Sequence, residues 1–474
     1  MEKYYFFDKR IIQPQGTKNF TTRAVKGIKD KENNPMFGEG FFENPPKLWE
    51  VRYDNAYPNV VYDPYEKIYR VYYTMVVKDE EMAGVPLEDR KNTRRVGTGK
   101  KTLALGYAES KDGIHWDKPS LELVDFEGSS KNNILLLHAH GTGVFFDYGE
   151  ENPQKKYKLV TKVDYPDGRS FMAVSFSADG IHWEELIPWP KYNPKADAHN
   201  CVFRDSSDGK FKLITRLWKD GMRVASMCES EDFINWTQPT EILRGLDYEN
   251  QVYSMPVFEH ENIYFGLASI FHEGDRDSKD FDHLDIELTY ATDLSRFNFT
   301  SFGDPIIPRG KGEYHDGEFD CGVIFASPPV EIDDKVYVYY MGGNGPHTEF
   351  RETSFGRAYF EKDKWIRFSP KCLGKTAEVM TSPVQFTGEN LEILADDADD
   401  IEVALFAHHR DTKPLDGFSF ENSKVIATEG KYLRVVFDNP FSTLESRNAC
   451  IVIRTKTASL YAIRGDFVLK CGRC

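Results

Sequence analysis

Apolar and polar positions alternate along most of this chain in short runs, and turn-forming residues separate the runs. A period of two predicts strands rather than helices. The pattern also repeats. Leu105 to Trp116 ends in Ser110-Lys111-Asp112-Gly113-Ile114-His115-Trp116. Val174 to Trp183 nearly repeats it and ends in Ser177-Ala178-Asp179-Gly180-Ile181-His182-Trp183. A third copy, Ser226 to Trp236, ends in Ser230-Glu231-Asp232-Phe233-Ile234-Asn235-Trp236. Degenerate copies run from Leu288 to Phe299 and from Ala358 to Phe368. Each copy reads as a strand, an Asp-containing turn and a strand bearing a large aromatic. Asp-Gly marks a hairpin because Gly accepts positive φ and Asp bonds its own backbone.

A second hairpin precedes each copy. Ala56 to Tyr62 turns at Asp63 to Glu66 into Ile68 to Met75. Cys201 to Phe203 turns at Asp205 to Gly209 into Phe211 to Leu217, and Val257-Phe258 turns at Glu259 to Asn262 into Ile263 to Ile270. Gly143 to Phe146 with Tyr157 to Lys162, and Val323 to Phe325 with Val336 to Met341, complete the set. Two hairpins per repeat, at a spacing of roughly 50 to 70 residues, predict four-stranded blades. The expected fold is therefore all-β: a five-bladed β-propeller over residues 49–370. Beyond 371 the repeat stops. Glu378 to Val384, Leu391 to Leu394, Ile401 to Phe406, Tyr432 to Phe437, Ala449 to Thr455 and Ser459 to Ile463 read as short alternating strands. They predict a C-terminal β-sandwich over 371–474. Residues 1–48 have little periodicity and are expected to wrap the propeller or rim its mouth.

Composition narrows the function. The chain has 474 residues, with 14% aromatic and 29% charged, and a net charge of -16. Its basic residues are scattered, which argues against a nucleic-acid partner. No apolar stretch long enough to span a membrane occurs, and Met1 to Ile12 lacks a signal-peptide core. Seven cysteines lie far apart, which suits reduced thiols and a cytoplasmic location. Cys471-Gly-Arg-Cys474 has CxxC spacing but stands alone at a terminus. Histidines lack metal-ligand spacing, and phosphate loops and nucleophile elbows are missing. No metal or cofactor is expected, and nothing speaks to oligomeric state.

The starts of a propeller's first strands crowd together at one mouth, so carboxylates placed there converge on a small pocket. Such convergence is what glycoside hydrolysis needs, with one carboxyl protonated and another ionised. Register nominates Asp54, which precedes its turn by nearly the same offset as Asp197 precedes its own. Second strands return to that mouth, which adds Arg216, His272 and His347 as substrate-binding candidates. Arg216 can bind a sugar hydroxyl or hold Asp197 ionised. Trp49, Tyr57 and Trp218 can stack on sugar faces.

The five-blade layout, the sandwich, and Asp54-Asn55-Ala56-Tyr57-Pro58-Asn59 leading to Tyr72-Tyr73 resemble the superfamily of glycoside hydrolase families 32, 43, 68 and 130. The invertase-like family 32 is nearest. That branch holds its nucleophile in an Asn-Asp-Pro-Asn motif, and here Asp54 takes the place with Arg52-Tyr53 before it. Phe203-Arg204-Asp205 matches the branch's transition-state motif in letters. Asp205 opens a hairpin turn, however, which sets it at the far end of its strand, and Asp197 is better placed. The family's general acid lies about one blade further on, which points to Glu249, although strict register sets Gln251 there. Glu318 and Asp320 are rivals for the role, and the Glu-Cys-Pro motif of invertases is missing.

The resemblance implies a glycoside hydrolase cleaving a β-fructofuranoside or arabinofuranoside in a small oligosaccharide. Asp54 would act as nucleophile or base, Glu249 as acid, and Asp197 would bind ring hydroxyls. Two alternatives stay open. One is a phosphorolytic enzyme of the family 130 kind, which needs a basic cluster at the pocket. The other is a carbohydrate-binding propeller without catalysis, which Gln251 favours.

Overall fold

A computed structural model describes residues 1–79, 85–90, 93 and 101–470. The chain is all-β. Among the described residues, α-helix is confined to the single turn Leu87–Arg90, and no helix is long and apolar enough to cross a membrane. Cys471 and Cys474 lie outside the described residues. The chain forms two compact units, Lys26–Phe360 and Met1–Val25 with Glu361–Cys474. Residues 1–48, expected to act as one piece, therefore divide near residue 25.

The larger unit is a β-propeller of antiparallel sheets. Sheet I holds Asn59–Asp63, Ile68–Asp79, Lys101–Ser110 and Ile134–Leu137. Sheet II holds Ala139–Phe146, Tyr157–Asp164, Ser170–Ser177 and Ile187–Pro188. Sheet III holds Cys201–Arg204, Phe211–Lys219, Met222–Ser230 and Thr240–Arg244. The remaining strands form one larger sheet, in which two antiparallel parts meet through a single parallel pairing, Leu284 with Val323. Part IV is built on Ile263–His272 and Leu284–Ala291, and part V on Lys335–Gly343 and Thr353–Glu361. Ile28–Lys29 and Phe37–Gly38 add to the outer edge of part V.

First strands meet around a channel. Asn59 Nδ2 donates to Thr142 O at 2.7 Å, and Asn200 Nδ2 donates to Gly141 O at 2.8 Å. Val257 N donates to Cys201 Sγ at 3.4 Å. The ring closes where Val60 N donates to Ser327 Oγ at 2.8 Å. One end of the channel opens as a cavity of about 400 Å³ lined by Val60, Val144, Val202, Val257 and Val330 with their neighbours. Arg204 lies at that end. Asp205 beside it accepts hydrogen bonds from Ser207 and from Tyr264 Oη, as its hairpin position predicted.

The sequence repeat works as a staple. Asp112 Oδ1 accepts the N–H groups of Ile114 and His115, and Asp179 Oδ1 accepts those of Ile181 and His182. Ser110 and Ser177 hydroxyls accept from Gly113 N and Gly180 N, each at 2.9 Å. Each turn docks on the preceding sheet. Tyr72 Oη of sheet I donates to Gly180 O at 3.0 Å, and Tyr339 Oη of part V donates to Gly113 O at 2.9 Å.

In the smaller unit, Glu2–Tyr5 and Phe20–Ala24 pair with Leu460–Leu469 and Ile366–Pro370. Ten strands joined in one hydrogen-bonded sheet surround an apolar core in which Phe6, Ile11, Val403, Ile453, Ile463 and Phe467 are buried. The expected strand over Glu378 to Val384 is broken into Ala377–Met380 and the long, bulged Val384–Ala395.

Candidate functional site

At the opposite end of the channel a cavity of about 200 Å³ opens, walled by Asp54, Tyr57, Lys101, His140, Asp197, Arg216, Tyr253 and His347, among others. Asp54 stands on a tight loop before the first strand of sheet I. Asp54, Ala56 and Tyr57 all have positive φ, at 57°, 56° and 46°. Non-glycine residues adopt that region only at a cost of about 1–3 kcal/mol each. The surroundings therefore have to hold the loop. Tyr53 is fully buried and donates its hydroxyl to Gly38 O and to Glu50 Oε2, both at 2.8 Å. Thr353 Oγ1 donates to Asp54 O at 3.0 Å, and Arg351 Nη2 to Asn55 Oδ1 at 2.7 Å.

Three cations among the described residues face the Asp54 carboxylate. Arg52 Nη1 lies 2.6 Å and Arg351 Nη2 3.1 Å from Oδ1, and Lys101 Nζ lies 3.5 Å from Oδ2. Asp197 comes from the loop before sheet III, and Arg216 Nη2 meets its Oδ1 at 2.8 Å. Burial pushes the Asp197 carboxyl up, but the charge and hydrogen bond of Arg216 more than reverse this. It therefore lies below the usual carboxylate range. Arg216 is itself buried and stacks over the Tyr253 ring, 4.4 Å from its centroid. Its Nη1 is buried and has no hydrogen-bond partner among the described residues.

The rest of the wall is aromatic and imidazole. Asn55 Nδ2 donates to the hydroxyls of Tyr57 at 2.9 Å and Tyr253 at 3.1 Å. Burial, with Tyr253 adjacent, raises the Tyr57 hydroxyl well above its ordinary value, so it stays a neutral donor. His347 Nε2 lies 3.0 Å from Tyr253 Oη. Burial and the neighbouring Arg351 lower the His347 imidazole well below its ordinary value, so it stays neutral as well.

The structure thus brings together Asp54, Tyr57, Asp197, Arg216 and His347, but not Glu249, His272, Glu318 or Asp320. Glu249 stands in an exposed turn outside the cavity wall. The strand behind it continues to Asn250, which pairs with His272. His272 is likewise outside: its Nε2 faces Asp285 Oδ2 and its Nδ1 faces Asn250 Oδ1, both at 2.9 Å. Asp320 is buried against Lys29 Nζ at 2.6 Å and accepts from Tyr340 Oη at 2.8 Å. Glu318 Oε2 accepts from Lys311 N at 2.9 Å, away from the cavity. Gln251 is buried and bonded to Arg223 and Tyr248 O. Among the aromatics, Trp49 donates to Asn133 Oδ1 at 2.6 Å within a core cluster, whereas Tyr57 lines the cavity.

Lys101, His140, Tyr253 and Arg351 were not singled out from sequence. Tyr253 is the unpaired residue of a β-bulge, since Val252 pairs with Ile270 and Ser254 with Ser269. A bulge re-aims a side chain, and here it turns Tyr253 to the cavity.

No protein-family model and no curated protein matches the chain. Among solved structures, the chain is similar to an N-acetylgalactosamine deacetylase from F. plautii in complex with blood group B trisaccharide. That likeness has 15% identity, covers 72% of this chain and 96% of that one, and has a TM-score of 0.46. An α-L-arabinofuranosidase from Podospora anserina in complex with cellotriose is similar at 14% identity, covering 73% and 98% of the two chains, with a TM-score of 0.43. A fructofuranosidase from Schwanniomyces occidentalis complexed with fructosylnystose is similar at 12% identity, covering 94% and 100%, with a TM-score of 0.40.

Proposed function

We propose that this chain is a five-bladed propeller with a C-terminal sandwich that cleaves glycosidic bonds, as a hydrolase acting on a furanoside in a small oligosaccharide. The observation that carries this reading is that Asp54 and Asp197, on loops of different sheets, share one small cavity with Arg216 and His347. Paired with three cations, Asp54 suits the role of an anion, attacking the anomeric carbon or taking a proton from water. Asp197, held below the usual carboxylate range by Arg216, accepts hydrogen bonds from ring hydroxyls. Arg216, on the same cavity wall, donates to a sugar oxygen.

Proton delivery to the leaving oxygen is what separates two forms of this reading. In the hydrolytic form it falls to Glu249, which would have to swing in from the rim. The other form is phosphorolysis, favoured by Lys101 and Arg216 on the cavity wall and by the lack of a third carboxylate among its described wall residues. There, dihydrogen phosphate supplies an oxygen to the anomeric carbon as the carbon–oxygen bond to the leaving sugar breaks. Its proton goes to the leaving oxygen, giving a sugar phosphate and a free hydroxyl.

Wild type and Asp54→Asn would be assayed on aryl furanosides, sucrose, fructo-oligosaccharides and arabino-oligosaccharides, with and without phosphate. Release of a sugar by wild type, reduced at least about a thousandfold in the variant, is the expected result. Full turnover in Asp54→Asn would remove Asp54 from the chemistry. Product that appears as sugar phosphate, and only with phosphate present, would select the phosphorolytic form. Silence of wild type on every substrate would leave carbohydrate binding without catalysis.

A further inference from the structure

An aromatic strip leads out from the cavity. Trp218, near the end of Phe211–Lys219 and two residues beyond Arg216, is 43% exposed. Its ring is backed by cations, with the Arg223 guanidinium 4.4 Å and the Arg216 guanidinium 5.9 Å from its centroid. Arg223 also lies 5.7 Å from the ring of Tyr253, which lines the cavity. It is fixed there by Gln251 Oε1, which accepts from Arg223 Nη1 at 3.0 Å, and by an ion pair with Glu273. Gln251 Nε2 in turn donates to Tyr248 O at 2.7 Å. Tyr248 and Leu246 are 56% and 65% exposed. Trp218, Arg223, Gln251 and Tyr248 thus form one connected strip running from the cavity wall to the rim.

The strip is suited to sugar. The Arg216 and Arg223 guanidinium groups hold the indole against the protein, and cations packed on a ring are a recurrent anchor. Part of its surface meets water, and exposed aromatic surface beside a pocket marks a binding site. Glu273 pairs with Arg223, and Asp247 and Glu249 adjoin Tyr248 in sequence, so an apolar partner would meet charge. A pyranose or furanose ring offers the opposite combination: C–H groups for the indole face and hydroxyls for the charged edge.

We infer that Trp218 is a platform for a sugar residue lying outside the cavity, so the ligand is an oligosaccharide that extends beyond the residue held by Asp54 and Asp197. This rests on the glycoside-cleaving reading. Binding of inulin-type fructo-oligosaccharides and arabino-oligosaccharides of two to five residues would be measured by calorimetry in the Asp54→Asn background. Affinity should rise about tenfold or more between two and four residues in one of the two ladders. Trp218→Ala should abolish that gain, and Trp218→Tyr, which keeps a ring, should retain most of it. Melting curves verify that the variants fold, since Trp218 is too exposed to carry core packing. A gain that survives Trp218→Ala, or affinity independent of length, overturns the platform. Cleavage of the same ladders by wild type is followed in parallel. Cleavage without a length gain defeats the platform alone, and a length gain without cleavage defeats the enzymatic reading alone.

Discussion

Glu39 lies beneath the Asp54 loop, fully enclosed. Its Oε1 accepts the backbone N–H of Tyr53 at 3.0 Å and of Thr353 at 3.2 Å, whereas its buried Oε2 has no hydrogen-bond partner among the described residues. Burial pushes the carboxyl up to about 8 from an ordinary 4.5, against the pull of the two N–H groups. Between those values the folded protein keeps a proton that the unfolded chain has released. The contribution of this group to stability is therefore complete below about pH 4.5 and is lost as pH rises through about 8. Glu39→Gln keeps the acceptor and removes the titration. The melting temperature of Glu39→Gln relative to wild type should thus climb steadily from pH 5 to pH 8.5. A constant difference across that range would show that Glu39 does not titrate there. Glu39 also shows why sequence reading reached only part of the site. Asp54, Asp197 and Arg216 sit at fixed offsets from recognisable turns. Glu39 and Arg351 arrive from segments about 300 residues apart, with no local pattern to mark them.

At the scale of elements, the staple turns explain both the glycine-bearing repeats and the third copy, where Phe233 replaces the glycine. Gly180 has φ +75°, and a Cβ there would sit 2.4 Å from Tyr72 Oη. Gly113 has φ +71° and the same relation to Tyr339 Oη. In the third repeat Phe233 occupies the glycine's place at φ 69° and is fully buried, packing on Phe176 and Phe145 of sheet II at 5.6 and 6.1 Å. Sheet II carries Val160, in the same core cluster, where sheet I carries Tyr72. Space lost from the tyrosine is thus refilled by the turn's own ring. Gly180→Ala should destabilise by about 2–4 kcal/mol through strain and overpacking, and Phe233→Ala by about 3–5 kcal/mol through the cavity left behind. Denaturant midpoints would check both; a neutral Gly180→Ala would mean the turn does not dock on Tyr72. Legibility follows the same regularity. Sheet III pairs without a break between Cys201–Arg204 and Phe211–Lys219, and its Asp197 and Arg216 could be placed by counting. Sheets I and II shift register at Val76/Lys78 and Val160/Lys162, and part IV at Val252/Ser254. Beside those shifts stand Lys101, His140 and Tyr253. Counting along a strand fails at a bulge, because one extra residue moves every later side chain to the other face.

At the scale of the whole molecule, the smaller unit is discontinuous in sequence. Phe6 and Ile11 are fully buried in a core otherwise built by residues beyond 366. Strand Phe20–Ala24 pairs along Ile366–Pro370, and Val25 N donates to Trp365 O at 2.9 Å. The chain therefore lays down two edge strands and part of a core before the propeller is made, and completes that core only after it. Residues 361–474 alone lack those strands and would expose the apolar surface that Phe6 and Ile11 cover, together with an unpaired sheet edge. Because Ala24 pairs with Ile366, a short Gly-Ser linker can join residue 25 to residue 361. That joined chain should unfold in a single cooperative transition, whereas 361–474 alone should bind a hydrophobic dye and aggregate. Equal cooperativity in the two would show that the N-terminal strands are dispensable. The same topology predicts that removing residues 1–25 from the full chain damages the smaller unit first. Asp54 and Asp197, carried by Lys26–Phe360, keep their ring of sheets, so cleavage activity should outlast the loss of the early melting transition.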